Sequence, residues 1–89
     1  MRHKRSNKKG PDPALVAALK RLRHDHNWTQ EGLAIEAGLT IAALSRIERG
    51  LTDPAWSSVR AIAKALDMGL SDLGSAVELE EQSMRPAEI

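Results

Sequence analysis

The chain has 89 residues, a formal net charge of +1, no cysteine, and Trp28 and Trp56 as its only aromatic residues. That length suits one small domain with an aliphatic core, and the lack of cysteine excludes disulfides and thiolate metal sites, which fits a cytoplasmic setting. No apolar run approaches the ~18 residues of a membrane span, and the basic start is not followed by the apolar stretch of a secretory signal.

The small net charge hides a gradient. Residues 1–13 carry five Lys/Arg against Asp12, whereas residues 78–89 carry one Arg against four Glu. A basic head and an acidic tail point to a polyanionic partner at the front half. The opening "MRHKRSNKKGPDP" has no apolar residue after Met1 and is broken by Gly10, Pro11 and Pro13. It predicts a flexible arm over 1–13. Arg2, Lys4, Arg5, Lys8 and Lys9 are its candidate DNA contacts, because a neighbouring duplex attracts cations and a narrow minor groove attracts them most.

From Ala14 the pattern turns helical. Leu15, Leu19 and Leu22 recur at i, i+4 and i+7, with Val16 and Ala18 beside them. Asp12 as N-cap and Pro13 at the first helical position mark the start. The helix should stop near Asp25 or His26, with Asn27 in the left-handed position beyond it. Thr29 is the expected cap of a second helix over 30–37, whose inner face is Leu33, Ala34 and Ala37. Gly32 inside it costs about 1 kcal/mol relative to Ala. Gly38 ends that helix, Thr40 caps a third with Leu44 and Ile47 inward, and Gly50 ends the third. Asp53-Pro54 repeats the cap-and-proline signal for a fourth helix with Trp56, Val59, Ile62, Ala63 and Leu66 on its apolar face. Trp56 is expected to seal the core, the alternative being that it lies at an interface. Leu70, Leu73 and Val77 mark a fifth helix entered through Gly69, and the surplus of apolar residues there suggests a dimer seam. The remaining "ELEEQSMRPAEI" is acidic and weakly periodic, an extension or a tail. The expectation is an all-α, five-helix domain over 14–77 between a basic arm (1–13) and an acidic tail (78–89).

Function concentrates around "EAGLT". A tight turn at Gly38, a small Ala34 four residues before it, and Leu33, Leu44 and Ile47 locking the crossing describe a helix-turn-helix, whose second helix lies in the major groove. With "LRHDHNWTQEGLAIEAGLTIAALSRIERG" followed by "DPAWSSVRAIAKALDMGLSDL", the chain resembles the lambda-repressor/Cro-like, or XRE-type, helix-turn-helix transcriptional regulators. The resemblance implies a compact five-helix domain that binds operator DNA, usually as a homodimer on two-fold-related half-sites, without catalysis or cofactor. By position it implies that Gln30 bonds a phosphate and braces a neighbouring reader. It also implies that Thr40, Ile41, Ala42, Ser45 and Arg46 face the groove, and that Arg49 contacts a phosphate. Arg23 and Glu48 match a structural ion pair. Against the family pattern, Gly32 replaces a polar helix former, Ala55 and Gly69 stand where Ser or Thr caps are common, and Asn27 replaces a frequent Gly.

The reading helix has an unusual chemistry. Ile41, Ala42 and Ala43 have no side-chain hydrogen-bonding group, so adenine cannot be read there as Asn or Gln would read it. Apolar contact with thymine methyls and one Arg46 fork to guanine remain, a sparse code. Phosphate contacts would then set the register. The likeness favours a repressor acting near its own gene. The alternative is an antitoxin whose tail, Glu78 to Ile89, binds a protein toxin. A non-specific architectural binder is disfavoured by the acidic end. His24 and His26, two apart at a helix end, point in different directions and do not suggest zinc.

Overall fold

The computed structural model describes residues 10–85; the arm residues Arg2, Lys4, Arg5, Lys8 and Lys9 lie outside them. Five α-helices form in chain order: α1 (Pro13–Asp25), α2 (Gln30–Ala37), α3 (Ile41–Glu48), α4 (Trp56–Ala65) and α5 (Leu70–Met84). No strand occurs among the described residues.

The helix ends follow local chemistry. Asp12, in extended conformation, accepts from the Ala14 N–H at 2.9 Å, and Pro13 starts α1 with a φ already suited to the helix. Thr29 caps α2 through the Gly32 N–H, and Thr40 caps α3 through the Ala43 N–H, each at 2.9 Å. The first four helices stop in one way: a left-handed residue (Asn27, Gly38, Gly50 or Asp67) lets the next N–H reach back to a carbonyl of the last turn. The bonds are Trp28 to Arg23, Leu39 to Ala34, Leu51 to Arg46 and Met68 to Ala63, at 2.8 to 3.0 Å. Asp67 takes the left-handed role without Gly, as a short polar side chain can.

The core is aliphatic. Leu19, Leu33, Leu44, Ile62 and Leu66 are its largest fully buried side chains, drawn from the first four helices and the end of α4, and Leu73 closes it from α5. Trp28, half-buried, packs against this cluster. The α2–α3 turn is tight, with Ala34 fully buried and Gly38 at φ 74°.

Three local expectations are corrected. Helix α4 begins at Trp56, not at Asp53-Pro54; its N-cap is Ala55, which supplies no side-chain bond. Residues 51–55 stay non-helical between α3 and α4, and α4 packs on α2; a residue preceding proline favours such extended backbone. Trp56 does not seal the core: it is 63% exposed, while Val59, Ile62, Ala63 and Leu66 fill the interior. Finally, residues 78–84, grouped with the acidic tail on sequence grounds, continue α5 in helical form. Helix α5 lies along α1, where Arg21 and Glu80 pair at 3.2 Å, and Glu, Leu and Gln are good helix formers.

Candidate nucleic-acid interface

Helix α3 is held on one side and bare on the other. Leu44, Ile47 and Glu48 are buried, three residues apart and then adjacent, on the inward face of a two-turn helix. That leaves Ile41 (45% exposed), Ala42, Arg46 and Arg49 at the surface, with Thr40 exposed at the N-cap and Ala43 and Ser45 half-buried at the edges. Ion pairs among the described residues are Arg21–Asp25, Arg21–Glu80 and Arg23–Glu48. Arg46 and Arg49, both exposed, have no such pairing among those residues.

The inward anchor is electrostatic as well as apolar. Glu48, 3% exposed, receives both arms of Arg23: Nε donates to Oε2 at 2.7 Å and Nη2 to Oε1 at 3.0 Å. Arg23 Nη1 also donates to the Trp28 carbonyl at 2.8 Å, which ties α1 to the chain entering α2. The resemblance-based pairing of Arg23 with Glu48 is therefore met in the geometry. A fork-on-carboxylate contact is the strongest form of such a pair, and its planarity fixes orientation.

Gln30 occupies a place the sequence does not disclose. It is the first residue of α2, half-buried, and its Nε2 donates to Glu48 Oε1 at 2.9 Å. One of its two amide protons is thus committed to Glu48, and an amide carries a second. Helices α1, α2 and α3 consequently meet at one carboxylate. No spacing rule would have joined residues 30 and 48, because the contact depends on how the helices cross.

Gly32 has a packing reason. A Cβ there would stand 3.1 Å from Thr29 Oγ1 and 3.2 Å from Trp28 Cε3, so the Trp28 ring occupies the space a side chain would need. Ile35, by contrast, is 68% exposed on α2 and was not anticipated. His24 and His26 turn to different partners, Nε2 of the former lying 3.0 Å from Arg23 Nη2 and Nδ1 of the latter 2.9 Å from the Leu22 carbonyl. Among the described residues no helix is long and apolar enough to cross a membrane.

Comparison with known proteins places this geometry. The family described as a helix-turn-helix domain matches residues 14–74. No curated protein matches the chain. The wild-type restriction-modification controller protein C.Esp1396I superposes with a TM-score of 0.75 at 25% identity, over 78% of this chain and 91% of that one. A single-substitution variant of the same protein gives 0.77 at 25% identity, over 81% and 94%. The restriction-modification controller protein C.AhdI from Aeromonas hydrophila gives 0.64 at 28% identity, over 67% and 91%.

Proposed function

The chain belongs to the helix-turn-helix family of DNA-binding transcription regulators, of XRE type, and from that premise we propose that it is a homodimeric repressor that recognises a two-fold-related operator near its own gene. The observation that carries the reading is the division of α3: Leu44, Ile47 and Glu48 fix it to the body, while Ile41, Ala42, Arg46 and Arg49 are left outside.

The chemistry of that outer face sets the code. Ile41, Ala42 and the Thr40 methyl offer apolar contact to thymine methyl groups in the major groove. Arg46, one turn further on, carries the only strong donor fork on the helix and would take guanine through O6 and N7. Arg49, beyond the helix end, and the second amide proton of Gln30 would hold phosphates, and Ser45 would join either set. The arm cations Arg2, Lys4, Arg5, Lys8 and Lys9 would add backbone or minor-groove contacts. A dimer seated on its operator would repress by covering promoter DNA. The controller proteins that share the fold are regulators by name, which supports the role, and the DNA it acts on makes the cytoplasm its place of work.

Arg46→Ala tests the assignment on duplexes changed one base pair at a time. Discrimination should fall by about 1–3 kcal/mol at one base pair in each half-site and stay elsewhere. A loss of affinity spread evenly over all the duplexes would make Arg46 a phosphate clamp and remove the main element of the code.

A further inference from the structure

We infer that Trp28 is a positioning residue for DNA binding: its ring, lodged against Gly32, sets where the first turn of α2 presents Gln30 to the duplex backbone. This role rests on the proposed DNA reading and says what holds the Gln30 contact in place.

Helix α2 is short and lightly anchored. Leu33 and Ala34 are the only buried residues of its eight, so the core alone does not fix the end that carries Thr29 and Gln30. Trp28 supplies the missing anchor. Its backbone is tied twice to α1: the N–H donates to the Arg23 carbonyl at 3.0 Å, and the carbonyl accepts from Arg23 Nη1 at 2.8 Å. Its side chain, half-buried against the core, turns onto α2. Ring atoms Cε3 and Cζ3 stand 3.2 and 3.5 Å from the point a Cβ on residue 32 would occupy. Glycine therefore lets the indole come closer to the helix backbone than any other residue would. The same glycine donates its N–H to the Thr29 hydroxyl at 2.9 Å. Ring, cap and helix start thus form one unit, and Gln30 lies inside it.

That unit is one half of a two-sided hold. On the other side Gln30 Nε2 donates to Glu48 Oε1, on the last residue of α3. Arg23 serves both halves, through the Trp28 carbonyl and the Glu48 carboxylate. A side chain that must meet a partner at hydrogen-bond distance has to be held within about 0.5 Å. A methyl on residue 32 would stand roughly 0.3–0.8 Å inside the ~3.5–4.0 Å at which carbon atoms pack. Relief has to come from the ring, the Thr29 cap or the start of α2, and each of these carries Gln30 with it.

Binding isotherms test this on a duplex that the wild-type chain selects from a random pool, and on single-base-pair variants of that duplex, well below the unfolding temperature. Gly32→Ala should weaken binding about tenfold, the loss expected when a hydrogen bond to a charged group goes, by the same factor on every duplex. Trp28→Leu should weaken it to a similar extent; should that variant fail to fold, Gly32→Ala decides alone. Gln30 is uncharged, so the slope of log K against log salt should not change. In a Gln30→Ala background neither substitution should cost further affinity, because both act through that side chain. A merely structural role would lower the melting temperature without this dependence on Gln30. Affinity untouched by Gly32→Ala, or a loss that persists in full without Gln30, overturns the positioning role and leaves DNA reading standing. A wild-type chain that enriches no duplex overturns both.

Discussion

At Glu48 a carboxylate is carried almost wholly out of water on the last residue of α3, and donors from Arg23 and Gln30 meet it there. An ion so placed costs several kcal/mol to desolvate and is tolerable only while its partners stay. Arg23→Ala should therefore lower the unfolding free energy by about 3–5 kcal/mol, since it strands the charge. The double change Arg23→Met, Glu48→Leu removes charge and donor together and should cost far less. Urea unfolding of the two variants decides this: equal losses would mean that packing, and not the buried charge, governs the site. The pair itself was legible from the family likeness. The bond from Gln30 was not, because nothing in a linear chain records which side chain two crossing helices will bring together. The exposed set on α3 was legible for a simpler reason: Leu44, Ile47 and the caps fix which face of a short helix turns inward.

Among the helices, the ends written in residue chemistry read well and the ends set by packing read poorly. Asp12-Pro13, Thr29, Gly38, Thr40 and Gly50 all act where their chemistry places them. Asp53-Pro54 carries the same signal and fails, because α4 starts instead after Ala55, once the linker has run on from α3 to the surface of α2. Likewise the reach of α5 to Met84 depends on α1 lying alongside, which a weak local periodicity cannot show. Gly32 makes the same point quantitatively. Propensity alone predicts that Gly32→Ala gains about 1 kcal/mol, which in a domain of this size raises the melting temperature by roughly 4–8 °C. The contacts at 3.1 and 3.2 Å from Thr29 and Trp28 oppose that gain, and tight overpacking costs about 1–3 kcal/mol. The melting temperature should therefore fall or stay level. A rise of the full propensity amount would show that the Trp28 ring moves aside freely.

On the scale of the whole molecule, five short helices leave more apolar surface than one core covers. Trp56, Leu51 and Leu79 are each more than 60% exposed. The expectation that Trp56 closes the interior failed because Val59, Ile62 and Leu66 already fill it, a matter of volume rather than pattern. Part of the surplus lies on α4 and α5, at Trp56, Leu70 and Leu79, and part on α2, where Ile35 is 68% exposed. Charge, by contrast, is divided, with the basic residues concentrated in the first half of the chain and the acids at its end. On the proposed function the bare face of α3 reads DNA in the major groove, once per chain. Selection of bound duplexes from a random pool, with the number of chains per selected duplex measured, tests it most directly. An inverted repeat with one dominant guanine beside a thymine in each half-site, bound by two chains, is the expected result. A pool that stays random after repeated rounds would contradict it.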